Sequence, residues 1–269
     1  MGCSTDEFAP LMDRLQGRRI AFDRIVAVQG VPRHPRSVPV LVEELRVMLE
    51  RVGAKPPFVL VGHSYGGLIA RAFALRHRAS VKAVVLVDPA NERQFRQAPM
   101  PSDFIFAFRI LPMMFWLSGL LGSVGALRLQ VALGLPCSFP PLGDFPPEPR
   151  RAAVELYSHA APWTLSAAEL AGFNDAEASG WVPSLGDFDE SLPVTAIVAA
   201  RRDRSPTLYP GSITTAFTAL AHDVLHDADG TPLTAPRRLV FAEQSDHWVH
   251  LQQTDLVAAE VERLRALAM

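Results

Sequence analysis

Short, largely apolar runs alternate with amphipathic stretches along this chain. Phe58-Val59-Leu60-Val61 is apolar at every position, the pattern of a strand buried on both faces. Val81 to Val87, Val194 to Ala199 and Leu239 to Ala242 are similar, with Lys82 and Thr195 as the polar exceptions. Between these runs the period changes. Leu41, Leu45, Met48, Leu49 and Val52 recur at helical spacing over Val40 to Val52, with Gly53 as the stop. Leu68 to Leu75 reads as a second helix, and Leu256 to Leu267 as a closing one with Val257, Val261 and Leu264 on one face. Arg19-Ile20-Ala21-Phe22 is a further strand candidate, followed by a loop through Pro32, Pro35 and Pro39. Strands alternating with helices predict a parallel sheet covered on both sides.

Residues 91–192 break that rhythm with Pro-rich loops and irregular helical stretches such as Arg150 to His159. They read as an insertion between two sheet strands, with core segments 1–90 and 193–269 on either side. Phe104 to Leu121 is apolar enough to raise the membrane question, but Arg109, Pro112 and Gly119 interrupt it. An arginine near the middle of a span costs about 2.5–3.5 kcal/mol by insertion scales. The expected use is a buried or substrate-facing lid, with membrane-surface contact through the cap as the alternative.

The length of 269 residues and the 49% apolar content suit one large domain carrying an insertion and exclude global disorder. A formal charge of −2 provides no overall field for nucleic acid. Cys3 and Cys137 are too few for a disulfide framework. Met1-Gly2-Cys3 looks like a double-acylation start, yet Asp6 stands where myristoylation wants Ser or Thr. Residues 1–20 hold no apolar run like a signal-peptide core, so a cytoplasmic location is expected.

The chemistry centres on Gly62-His63-Ser64-Tyr65-Gly66-Gly67, which fits G-x-S-x-G. The letters alone are only suggestive; the setting, directly after an apolar strand and opening a helix, predicts a nucleophile elbow. Its serine sits on a sharp, strained turn, where a Cβ at Gly62 or Gly66 is expected to collide with neighbouring backbone. The Tyr65 N–H, at the positive end of the following helix, then points where an oxyanion would form. The plain alternative is a Gly-rich turn whose serine merely caps a helix.

A serine hydroxyl needs a base. His247 follows the last strand in Ser245-Asp246-His247-Trp248-Val249-His250 and is preferred; His250 reads as packing, and His63 as pointing down into the core. His34, His77 and His159 have no partner pattern. The acid that fixes the imidazole should lie between serine and histidine, at the C-terminal end of a strand. Asp203, in Ala200-Arg201-Arg202-Asp203, is the first choice, and Asp88, ending Val84-Val85-Leu86-Val87, the second. His222-Asp223 and His226-Asp227 are spaced for one helix face, but no third metal ligand stands out, and a solvated face is expected. Nicotinamide, nucleotide and zinc motifs are absent from the sequence.

With these motifs the chain, from Phe8 onward, resembles the α/β-hydrolase superfamily, specifically bacterial serine hydrolases of the esterase and lipase-like kind. The matching pieces are Phe22-Asp23-Arg24, the elbow with its strand, Val85-Leu86-Val87-Asp88-Pro89 and Asp246-His247-Trp248. The resemblance implies a mostly parallel sheet with helices on both faces, a helical cap, Ser64 as nucleophile and His247 as base. Ala200-Arg201-Arg202-Asp203 is similar to the family's G-x-x-D acid position, whereas Asp88-Pro89-Ala90 looks like the acid position of some lipases. A serine at the elbow disfavours the haloalkane-dehalogenase and epoxide-hydrolase branches, which place an aspartate there. Relatives carry a strand and a His-Gly oxyanion segment before the helix expected at Phe8 to Leu15. This chain is expected to lack both: the resemblance puts the absent strand between the Ile20 and Phe58 segments, and leaves the first oxyanion donor to the backbone around Gly2 or to none.

The expected function is hydrolysis of a small-molecule carboxylic ester with a hydrophobic acyl or alcohol group, without metal or organic cofactor. Phe104, Phe108, Met113 and Trp116 are the expected substrate-binding residues. Thioesters, amides and peptides suit the same residues, and a non-catalytic binding protein of this fold is the rival from another class.

Overall fold

The computed structural model describes residues 5–24, 36–91, 102–135, 147–178, 188–201 and 237–267, together with 218–219, 221 and 225. Strands β1 (Phe58–His63), β2 (Val81–Val87), β3 (Val194–Ala199) and β4 (Arg238–Ala242) form a parallel sheet in that order. Every pairing is parallel. Because side chains alternate along a strand, each run feeds two cores. Val84, Leu86, Ala196 and Val198 turn to one face, and Val85, Val87, Ile197 and Ala199 to the other.

Helices α2 (Val38–Arg51) and α3 (Tyr65–Arg76) cover the first face. Pro39 stands in the first turn of α2, where a missing N–H costs nothing, and Gly53 ends it with φ 61°. The second face is closed by α1 (Ala9–Arg14) and the C-terminal helix, numbered α9 below (Thr254–Leu267), through Leu11, Val257, Val261 and Leu264.

Between β2 and β3 the chain forms α4 (Ser102–Ser123), α5 (Ala126–Ala132), α6 (Pro147–Tyr157) and α7 (Ala160–Ala178). Glycines let α4 lie close along α7. A Cβ at Gly119 would come within 2.7 Å of Thr164 Cγ2, and one at Gly122 within 2.8 Å of the Ala160 nitrogen. Phe115, Trp163, Leu170 and Phe173 from these helices join the first core, so the insertion is packed onto the sheet's helical layer. Buried Glu169 on α7 accepts two hydrogen bonds from Arg24, at 2.7 and 3.0 Å, which ties α7 to the segment ahead of α2.

One expectation fails. Residues 19–22 form no strand, and Ile20 is 39% exposed. A groove of about 560 Å³ is lined by residues 18–22 on one side and by Phe58 to Val61 of edge strand β1 on the other, with Leu41, Leu45 and Met48 in its wall. A strand exists through its ladder, with a neighbour about 4.8 Å away. Apolar letters at 20–22 cannot create one across open space.

Candidate active site

The elbow is built by backbone crowding. Ser64 follows β1 with φ 52° and ψ −123°, a left-handed conformation that L side chains rarely adopt, and α3 starts at the next residue. A Cβ on Gly62 would lie 2.4 Å from the Gly66 carbonyl oxygen. A Cβ on Gly66 would meet nothing within 4 Å, so the expected collision there is absent; the second crowded glycine is Gly67, 2.7 Å from Pro89 Cβ. The Ser64 N–H bonds the Val87 carbonyl at 3.0 Å, and the Ser64 carbonyl accepts from the N–H groups of Gly67 and Ala90 at 2.9 Å each. The turn is thereby fixed to the end of β2.

That end carries Asp88, 1% exposed and itself at φ 42°. Its N–H donates to the Ile197 carbonyl at 2.7 Å, and its Oδ1 accepts from the Ala199 N–H at 3.0 Å. Both contacts go to β3, leaving Oδ2 directed at His247 Nδ1, 2.6 Å away. The carboxylate therefore defines the tautomer: in the neutral ring Nδ1, and not Nε2, carries the proton. The structure brings together Ser64's turn, Asp88 and His247. Asp203, the first-choice acid, and Gly2, the candidate second oxyanion donor, lie outside the described residues, as do His34, His222 and His226.

The loop bearing His247 is held from below. Gln253 accepts from the Gln244 N–H and the Ser245 hydroxyl, both at 2.9 Å, and Gln252 accepts from the Asp246 N–H at 2.9 Å. Asp246 Oδ1 in turn accepts from the Trp248 N–H at 3.0 Å. His63, 6% exposed, donates from Nε2 to the His247 carbonyl at 2.7 Å, and its ring centroid lies 4.5 Å from that of His247. Burial holds the His63 pKa well below its ordinary value, with His250 and His247 adding to the shift. A neutral imidazole with its proton on Nε2 suffices for that one donation.

A buried pair beneath this site left little trace in the sequence. His250 lies on α8 (Val249–Gln252), with no exposed surface. It stacks on Phe8 at 4.8 Å and approaches His63 at 4.2 Å between ring centroids. Glu7, equally buried, places Oε2 3.8 Å from His250 Nε2. Burial lowers the His250 pKa, an effect that Glu7 opposes. The only signal for Glu7 was its place just before an apolar helix, which reads as a surface acid.

Tyr65 is 1% exposed and its ring meets Phe173 of α7 edge-on at 5.8 Å. Burial pushes its hydroxyl pKa up, so it stays neutral. Of the expected substrate-binding residues, Phe108 is partly buried and approaches Phe173 edge-on at 6.3 Å. Met113 and Trp116 are each 58% exposed, and the side chain of Phe104 lies outside the described residues. The groove along β1 reaches Gly62 and Gly66, but Ser64, Asp88 and His247 do not line it. Among the described residues, no three His, Cys, Asp or Glu side chains cluster as a metal site.

A sequence profile described as Alpha/beta hydrolase family matches residues 2–260, nearly the whole chain. The chain belongs to the α/β hydrolase family. Solved α/β hydrolases share the fold at low identity. An esterase from Exiguobacterium antarcticum has a TM-score of 0.59 at 14% identity, covering 98% of this chain and 88% of that one. A thermophilic esterase from Thermogutta terrifontis has 0.55 at 15%, covering 99% and 86%. Among curated relatives, an uncharacterized protein of Bacillus subtilis, YqjL, is 32% identical over 92 residues, which is 33% of this chain and 36% of its own length. The other curated relatives match over shorter stretches still, so this α/β hydrolase spans well under two thirds of each. Among the described residues, no single helix is long and apolar enough to cross a membrane.

Proposed function

We propose that this α/β hydrolase cleaves carboxylic esters through an acyl-enzyme on Ser64. The observation that carries the reading is the 2.6 Å bond between Asp88 Oδ2 and His247 Nδ1, placed beside a strained serine turn. In this reading Ser64 Oγ attacks the ester carbonyl while His247 Nε2 takes its proton. The tetrahedral oxyanion lies against the Tyr65 N–H at the start of α3. Collapse of that intermediate breaks the C–O bond, and the proton on His247 leaves with the alcohol. Water then attacks the acyl group with His247 again as base, which releases the acid and restores the Ser64 hydroxyl. Asp88 keeps Nδ1 protonated throughout and stabilises the imidazolium that forms twice per turnover.

The helices between β2 and β3, taken here as the cap, supply the reason for a hydrophobic substrate. Phe108, Leu111 and Phe115 of α4 turn apolar surface toward the core that also holds Tyr65. The test is a series of p-nitrophenyl esters of increasing acyl length, run beside the matching thioesters and anilides. Turnover of the esters above the other two, lost by at least about 10³ in Ser64→Ala, supports the reading. A folded protein that turns over none of them is a binding protein of this fold instead.

A further inference from the structure

Helix α4 is apolar on both sides, and among the described residues only one side is packed. Its inner face lies on α7 through Phe115, Gly119 and Gly122. On the opposite face Leu117, Leu120 and Leu121 are 45–51% exposed, and the strip continues through Val124 to Leu129 on α5 and Leu133 just past its end, at 61–72%. At 3.6 residues per turn, the exposed apolar positions of α4 sweep an arc of about 160°. Of the sixteen large hydrophobic side chains exposed among the described residues, eleven lie between 106 and 135. A monomer rarely leaves so much apolar surface in one place without a use.

Charge decides what covers it. From Phe104 to Gly143 the sequence holds no Asp or Glu, and its two charged residues are Arg109 and Arg128, both exposed. A symmetric contact with a second copy would set this face against itself, with arginines and no carboxylate to meet them. A bilayer surface meets both needs: acyl chains take the leucines, and lipid phosphates take the guanidinium groups. The axes of α4 (from Phe108) and α5 bend by 76° at Val124 and Gly125, so the pair does not make one straight span. An arrangement lying in the interface plane fits such a bend.

We propose that the outer face of α4 and α5 docks this hydrolase on an anionic lipid surface. The full chain is mixed with vesicles of phosphatidylcholine and phosphatidylglycerol and floated on a density gradient. The comparison is Leu120→Glu with Leu129→Glu, two exposed positions whose change leaves both cores intact. Wild type is expected to float with the vesicles. The double variant should bind at least tenfold more weakly, with unchanged Tm and unchanged turnover of p-nitrophenyl acetate. Absence of vesicle binding by wild type, or undiminished binding by the variant, overturns the proposal. So does a lipid-free dimer in sedimentation that the same two substitutions dissociate. The flotation, Tm and sedimentation results hold whether or not Ser64 is a nucleophile; only the turnover control rests on the proposed function.

Discussion

Ser64 and Asp88 stand side by side at the ends of paired strands β1 and β2, and both carry a left-handed φ, 52° and 42°. They are the two non-glycine residues with that conformation among the described residues. A bond from the Ser64 N–H to the Val87 carbonyl, 3.0 Å, joins the two turns. Strain of this kind persists only where surrounding structure enforces it, and here it is enforced at the two positions assigned to nucleophile and acid.

The acid assignment has a direct consequence. Asp88→Asn should lower kcat by roughly 10⁴, because an amide facing Nδ1 favours the wrong imidazole tautomer. Asp203→Ala should keep turnover within about threefold of wild type. Steady-state kinetics on both variants decides the matter, and the reverse pattern moves the role to Asp203.

The crowded glycines make a contrast in stability. Gly62→Ala places a methyl 2.4 Å from the Gly66 carbonyl oxygen, where backbone and not a flexible side chain must give. A loss of at least about 1–3 kcal/mol is expected in urea denaturation. Gly66→Ala, with open space at its Cβ, should change stability by less than about 0.5 kcal/mol. Equal losses at the two positions would contradict this account of the turn.

His63 acts through His247. Its Nε2–H bond to the His247 carbonyl, 2.7 Å, fixes the loop that carries the proposed base. His63→Phe should lower kcat by about tenfold to a hundredfold, as a small misplacement of a reacting group does, with little change in KM. A fall in Tm with kcat intact would show a purely structural role.

The same buried histidines set a pH dependence of stability. Both His63 and His250 have pKa values lowered by burial from an ordinary 6.5. Above that value the folded and unfolded chains are equally neutral at these positions, so their part of the stability is complete. As pH falls below it, the unfolded chain takes up protons that the folded chain refuses, and stability declines. The slope is at most about 1.4 kcal/mol per pH unit for each histidine. Urea melts between pH 7.5 and 5 should show it, and His63→Phe should remove about one proton from the slope. A flat profile over that range contradicts the buried, neutral state of both.

The sheet was legible in advance because its evidence is local. Four apolar runs bounded by turns are strands wherever neighbours exist, and the helix over Val38–Arg51 declares itself by spacing and by Gly53. Ile20 to Phe22 has equally suitable letters, but its state depends on whether backbone lies alongside, which no run of letters records. The acid posed the same difficulty. Asp88 and Asp203 both follow strands, and the contact depends on Asp88 being locked by two bonds to β3. Gly67, not Gly66, lies close to another segment because Pro89 packs on it from the end of β2, a long-range contact. Glu7 was missed because buried carboxylates are rare, and a sequence reader places an acid at the start of a helix in solvent.

Covalent labelling measures whether Ser64 is the activated nucleophile that we propose. The folded protein is treated with a fluorophosphonate probe and digested, and the peptide containing Ser64 is weighed. One phosphonyl adduct is expected on Ser64, absent in Ser64→Ala and much slower to form in Asp88→Asn. A folded sample that leaves Ser64 unmodified under conditions that label a known serine esterase would contradict it.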